Sequence, residues 1–298
     1  MATLEIEKVD LASFCYLNKE RYPFLLESVN HNENNRYSIL FAFPEEKIVL
    51  RDFSDFIFLN ELENQLEPSN DNSNLPFTGG WFVYLSYELI GQIEPTLASK
   101  LHKSNIPIAY AVKIPSAVIT DHKLKKTFII DKDGNQTRVN KILSDIKALE
   151  NIPDKAINGK IKEENKKKFT DGVKSSLDYI VAGDVFQVNL SREWSYSLSS
   201  NQDSAIIYQK LKKANPAPFS ALIQYEDFSI ISSSPERLFS VNDGVLETRP
   251  IAGTHPRAKG HLDNTQKENL ISHPKEIAEH VMLLDLERND MGRVCEYG

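Results

Sequence analysis

Cysteine is scarce: only Cys15 and Cys295 occur in 298 residues, near opposite ends of the chain. That spacing matches neither a disulfide framework nor a zinc site, and it suits a reducing compartment. No apolar run approaches the roughly 18 residues that a membrane helix needs. The opening MATLEIEKVD carries charges where a secretory signal would place its apolar core. A basic excess is missing as well. With 35 Lys and Arg against 42 Asp and Glu, the net charge is −7, which argues against nucleic acid or an anionic membrane as partner. No internal repeat, nucleotide-binding glycine loop or HExxH element is present, and His261, His273 and His280 lack metal-ligand spacing. These absences leave a soluble, cytoplasmic chain as the expectation. At 41% hydrophobic and 26% charged residues it can bury a real core, as one large or two ordinary domains.

The most informative stretch is 232–254, SSSPERLFSVNDGVLETRPIAGT. Asn242-Asp243-Gly244 between two β-prone segments predicts a hairpin. Glu236 and Arg237 stand near one end of it and Gly253-Thr254 at the other. An acid, a guanidinium, an accessible backbone and a hydroxyl along one hairpin could hold a small carboxylate-bearing molecule and protonate a leaving group. The plain alternatives are a Glu236–Arg237 salt bridge, or a solvated acid, and a simple turn at Gly253.

Before that stretch, residues 23–29 and 37–43 read as paired strands joined by the polar 31–35, and 48–53 and 56–62 continue the strand pattern. Residues 66–74 read as a loop. Gly79-Gly80 opens a buried strand over 81–85, and 87–93 forms a short helix ended by Pro95. Segments 108–118 and 126–131 are further strands. DKDGN at 131–135 is a hairpin turn toward QTRV, since its glycine stands fourth, not sixth as a calcium loop requires. Val139, Ile142, Leu143 and Ile146 predict an amphipathic helix over 138–150. The lysine-rich 151–168 is expected to be a linker, separating an N-terminal region, 1–150, from a second region, 169–298.

In the second region a helix runs from Phe169 to a stop at Gly183. Residues 185–190 (VFQVNL) form a strand, 204–214 a helix, and 215–225 a proline-punctuated loop feeding a strand. Residues 255–269 read as a mobile basic loop. The last helix begins at Pro274, capped by Ser272 or His273, with Ile277, Val281 and Leu284 as its apolar stripe and Glu276 and Glu279 on another face. Glu279 is a surface charge or a Mg²⁺ ligand, because Mg²⁺ takes one or two carboxylates plus substrate oxygens. Gln187 is a strand residue with a satisfied amide unless it faces a substrate.

The motifs GDVFQVNLSR (183–192), NPAPFSA (215–221), SSSPERLFS (232–240), TRPIAGTHPR (248–257) and AEHVMLLDLERNDMGRV (278–294) occur in that order. Together they resemble the chorismate-utilising enzymes: anthranilate synthase large subunit, aminodeoxychorismate synthase component I, isochorismate synthase and salicylate synthase. PFLLES and GGWFVYLSYELIGQIEP resemble the N-terminal domain of the aminating members. The resemblance implies an α+β fold, a two-layer antiparallel β-sandwich with flanking helices, in which 169–298 is the first part of the chorismate-binding catalytic domain. It implies Glu236 as the acid for the departing 4-hydroxyl, Gly253 and Thr254 as substrate contacts, and Glu279 as a Mg²⁺ ligand. It also implies a truncated C-terminal part, so that the chain is expected not to turn over alone.

Within the family, the resemblance places a lysine base at the position of Gln187 in the water-using members. A glutamine cannot deprotonate water, whereas free ammonia already is a nucleophile. Gln187 therefore points to amination, with ammonia from a separate glutamine amidotransferase subunit. QVNLSR, NPAPFSA and SSSPERL are more similar to aminodeoxychorismate synthase component I than to anthranilate synthase. Ala252, where many aminodeoxychorismate synthases carry a covalent lysine, keeps anthranilate synthase component I as an alternative. A non-catalytic ligand-binding or docking fragment is another. Ser28 and Pro216 resemble parts of the family's tryptophan pocket, and Ser28 is otherwise an ordinary strand-end serine.

Overall fold

The computed structural model describes residues 1–30, 35–53, 56–67, 73–101, 104–199 and 203–296. In chain order the elements are β1 (Ala2–Ile6), α1 (Leu11–Leu17), β2 (Phe24–Glu27), β3 (Tyr37–Ala42), β4 (Lys47–Leu50), α2 (Phe58–Asn64), β5 (Gly80–Leu85) and α3 (Ile90–Ile93). They continue with β6 (Ala109–Ile114), β7 (Ser116–Asp121), β8 (Lys126–Asp131), α4 (Gln136–Lys147), β9 (Gly159–Glu163) and α5 (Lys166–Ala182). The remainder is β10 (Trp194–Leu198), α6 (Ser204–Ala214), β11 (Phe219–Tyr225), β12 (Phe228–Ser234), β13 (Ser240–Asn242), β14 (Val245–Glu247), α7 (His261–Ser272) and α8 (Pro274–Gly292).

A seven-stranded antiparallel sheet, in the order β1-β8-β7-β3-β2-β11-β12, organises the molecule. Its two faces follow from the two-residue period of a strand. Leu25 lies opposite Leu40, and Phe24 opposite Phe41. The leucines point toward α1, α4 and α6, where Phe14, Ile142 and Tyr208 complete one core cluster. The phenylalanines point to the other side, against Phe82, Tyr110, Val112 and Ile114 of a smaller sheet, β4-β6-β5. Phe24 and Phe82 stack there with centroids 4.0 Å apart. Each such fully buried ring or leucine contributes about 1.5–3 kcal/mol relative to exposure. The result is the α+β, two-sheet arrangement with flanking helices that the resemblance implies.

Several local expectations are corrected. Residues 56–62 enter helix α2 instead of a strand. The strand at 81–85 forms, but at the edge of the small sheet, and Val83 and Leu85 are exposed. The turn after β8 leads into α4, not into a second strand: the Asn135 side chain accepts N–H bonds from Thr137 and Arg138 and caps the helix. The stretch expected to be a linker contains β9, paired with β10. No regular structure forms over 185–190, and the basic segment expected to be a mobile loop contains α7. The predicted hairpin forms as β13–β14, with Asp243 and Gly244 both at positive φ as a tight primed turn requires. The 108–118 segment breaks at Pro115. Its first half, β6, belongs to the small sheet and its continuation, β7, to the large one. Parts of the expected loops at 31–35 and 66–74 lie outside the described residues.

Buried carboxylates pin the helices to the sheet. Asp131, at the end of β8, meets Arg138 of α4 at 2.7 Å and the Ser116 hydroxyl at 2.6 Å. Asp145 accepts from Arg21 at 2.7 Å and from the Tyr22 hydroxyl at 2.8 Å. Burial by itself would raise both carboxyls. Their hydrogen bonds, from Arg138, Ser116 and Asn135 to the first and from Lys141, Tyr22 and Arg21 to the second, outweigh it and hold them below the ordinary 3.8. The folded state therefore favours the ionised form. This stabilisation is fully present above about pH 5 and is lost as pH falls below the ordinary value through the depressed folded values. Urea midpoints should fall between about pH 5 and pH 2. Asp131→Asn should lower stability at neutral pH by roughly 2–4 kcal/mol while making the acid limb shallower. An unchanged acid limb would remove Asp131 from this account.

Candidate active site

The chain after β12 folds back so that the predicted acid and the predicted backbone cradle meet. Beyond Ser234, Pro235 ends the ladder, and the Ser234 hydroxyl donates to the Glu236 carbonyl at 3.0 Å, forming a local turn. The Glu236 carboxylate then accepts the Ile251 N–H at 3.0 Å. This bond ties residue 236 to the Pro-Ile-Ala-Gly-Thr segment across the β13–β14 hairpin. Arg237, before the hairpin, and Arg249, after it, both approach Glu247 at 3.7 Å. The salt bridge open to Glu236 is thus made by Arg237 with Glu247 instead. Glu236 is exposed, not sealed in a pocket, and Thr254 is exposed as well.

Gly253 faces helix α8. A methyl group added at Gly253 would overlap the Glu276 carboxylate, so a larger residue there requires the Glu276 side chain to move. Glu276 and Glu279 lie one turn apart on α8, both partly buried. Glu236, Gly253 and the two α8 carboxylates therefore form a chain of neighbours: acid to Ile251, Gly253 to Glu276, and Glu276 to Glu279. Sequence reading placed Glu276 and Glu279 on one face but named only Glu279 as a site residue. Nothing in a helical glutamate signals contact with a loop some twenty residues earlier. Among the described residues, no three acidic, histidine or cysteine side chains gather to hold a metal. Two carboxylates are nevertheless the share of a Mg²⁺ shell that a protein contributes when a substrate supplies further oxygens. Gln187 lies exposed in the irregular stretch after α5, and no described contact joins it to Glu236 or Gly253.

The segments that carry Ser28 and Pro216 meet at the large sheet. β11 pairs with β2, placing Ser220 opposite Glu27. Val29 and Asn30 donate N–H bonds to the Ala217 carbonyl at 3.0 and 3.3 Å. The segments holding Ser28 and Pro216 are thus adjacent, although Pro216 itself is exposed. A cavity of about 420 Å³ opens beside Ser28, with Glu27, Ser38, His122 and Lys212 in its lining. Ser28 is buried and its hydroxyl donates to the Tyr37 carbonyl at 2.8 Å. Glu27 accepts from Lys212 at 2.9 and 3.0 Å and from the Tyr208 hydroxyl at 2.6 Å. Burial pushes the Tyr208 hydroxyl far up, and the Glu27 charge adds to this. Burial works to lower the Lys212 ammonium, but Glu27 and Asp10 outweigh it and hold it above its ordinary value.

Comparison with known proteins gives one family. The chorismate binding enzymes match over residues 22–298. An anthranilate synthase component I-like protein of Synechocystis is 32% identical, over 91% of this chain and 58% of its own length. Aminodeoxychorismate synthase component 1 of Bacillus subtilis is 36% identical, over 78% of this chain and 52% of its own length. The crystal structure of anthranilate synthase component I from Streptococcus pneumoniae superposes with a TM-score of 0.72 at 27% identity, covering 88% of this chain and 63% of that one. The chain thus spans roughly half to two thirds of the length of these relatives.

The Glu27–Lys212 pair is nearly buried, with side chains 13% and 18% exposed. Lys212→Ala should leave Glu27 without its counter-charge and lower stability by about 2–3 kcal/mol in urea unfolding. Adding Glu27→Gln should recover part of that loss. A double variant as unstable as the sum of the two single ones would show that the two residues do not act as a pair.

Proposed function

The chain belongs to the chorismate binding enzymes, and on that premise we propose that it carries the chorismate-holding part of an enzyme that aminates this substrate. The product we assign is 4-amino-4-deoxychorismate, the precursor of 4-aminobenzoate and folate, with ammonia from a separate glutamine amidotransferase subunit. The observation that carries the reading is the convergence of Glu236, the Ile251–Thr254 backbone and α8 at one place. Gln187 supports amination, since it offers no base for water.

In this reading Glu236 protonates the 4-hydroxyl as its C–O bond breaks, and the hydroxyl leaves as water. Ammonia forms the new C–N bond, and the resulting ammonium returns a proton to the Glu236 carboxylate. The Ile251 N–H orients that carboxylate. Gly253 and Thr254 present backbone and hydroxyl to the substrate. Glu276 and Glu279 would hold Mg²⁺, which when bound supplies positive charge to a substrate carboxylate. Ala252 offers no nucleophile, so amination at C4 proceeds without a covalent link to residue 252. The same Ala252 favours a second reading, anthranilate formation by direct attack at C2. The cavity beside Ser28 is assigned to bound tryptophan, supported by its adjacent Ser28 and Ala217 segments and its mixed charges.

Protein purified from its native source, given chorismate, ammonium and Mg²⁺, should form a product that a lyase converts to 4-aminobenzoate. Direct appearance of anthranilate fluorescence would establish the second reading instead, and no consumption of chorismate would reject both. Glu236→Gln keeps an acceptor for the Ile251 N–H but cannot donate the proton. It should cut turnover by roughly 10²–10⁴-fold with little change in thermal midpoint. Near-normal turnover would remove Glu236 from the chemistry.

A further inference from the structure

The cavity beside Ser28 contains a hydrogen-bond chain whose direction can reverse. The Ser38 hydroxyl oxygen accepts the Ser28 backbone N–H at 3.0 Å and lies 2.7 Å from His122 Nε2. A serine hydroxyl has one proton and two lone pairs. With one lone pair held by Ser28, two arrangements remain. If Nε2 is bare, Ser38 gives its proton to the ring and has none for the cavity. If Nε2 carries hydrogen, the ring donates to the second lone pair and the Ser38 proton is released. Both residues line the cavity, so the released proton is available to a ligand there. An imidazolium, a donor at both nitrogens, enforces the second arrangement.

We propose that His122 is a positioning residue. Acting through Ser38, it makes this cavity hold the carboxylate of a small zwitterionic ligand more tightly when the imidazole is protonated. The inference rests on the cavity's assignment as a tryptophan pocket.

Among the described residues, charged groups face the imidazole and the cavity from several elements. Arg36 and Asp121, just before His122, hold each other at 2.5 Å, and Lys123 follows it in sequence. Glu27 reaches the cavity from β2, Lys8 and Asp10 from the segment before α1, and Lys212 from α6. Lys212 is tied to Glu27 at 2.9 Å and to Asp10 at 3.5 Å. Carboxylates and lysines ordinarily titrate near 4 and above 10, so among the described groups lining the cavity the imidazole is the one whose ordinary range lies between about pH 6 and 8.

The test is calorimetric titration of the 298-residue chain with L-tryptophan across that pH range, with tryptamine, which lacks the carboxylate, as second probe. Tryptophan affinity should rise roughly three- to tenfold from about pH 8 to pH 6, the scale of one added hydrogen bond. Tryptamine affinity should not rise. His122→Gln can donate to or accept from Ser38 but does not titrate. It should keep binding tryptophan while losing the pH dependence, which a merely structural role would not do. A flat wild-type profile, or the same slope in His122→Gln, would overturn the role of His122 and leave the pocket standing. No binding of tryptophan by the wild type at any pH would overturn the pocket assignment and the inference with it.

Discussion

Everything assigned to this chain depends on one strand pairing, β11 against β2. The two strands are about 190 residues apart in sequence, yet Leu222 lies opposite Leu25 in one sheet. The loop-closure entropy is offset because both faces of the pair are buried: Leu222 joins the helix-side core, and Ala221 and Ile223 join the core between the sheets. The pairing places the Ala217 carbonyl beside Val29 and thereby forms one side of the Ser28 cavity. It also fixes where β12 ends, and so where Glu236 and the hairpin begin. The two sites stem from neighbouring strands of the same sheet.

The legible parts of the sequence were those whose signal is local. Asn242-Asp243-Gly244 announces its turn because positive φ is tolerated there. Gly183 announces the end of α5 through its left-handed backbone. The apolar runs at 23–29 and 37–43 announce a pair of strands, and β2 and β3 are paired. The misreadings fall where two periods fit equally well or where a neighbour decides. Residues 56–62 are a short apolar run that suits strand or helix, and α2 wins through Phe58 packing under β4 and β6. The 185–190 run has the composition of a strand but pairs with no strand among the described residues. Residues 261–272 lack an apolar stripe, so their helix rests on good helix formers such as Leu, Gln, Lys and Glu. The site was legible in its loop residues and less so on α8, where only the fold shows that Glu276 meets Gly253.

The two halves of the molecule differ in how their apolar surface is used. The stripe of α4 is covered, with Val139 and Ile142 buried. Helices α5 and α8 also carry apolar side chains, yet neither helix has a buried residue, and Leu177, Val181, Ile277 and Val281 are all exposed. Patches of this kind mark surfaces that bind something. They occur on the helices that flank Glu236 and Gly253 in sequence.

Pro115 has a consequence beyond ending a strand. Because β6 and β7 are one run of chain bent at this residue, the small sheet cannot slide across the large one without dragging a central strand with it. The corner is clamped again where the Pro115 carbonyl accepts the Lys132 N–H at 2.9 Å. The layers therefore respond to a load as a folded plate creased at a corner, stiff against shear. A ligand in the Ser28 cavity, which presses on β2 and β3, would push on the whole plate instead of one leaf of it.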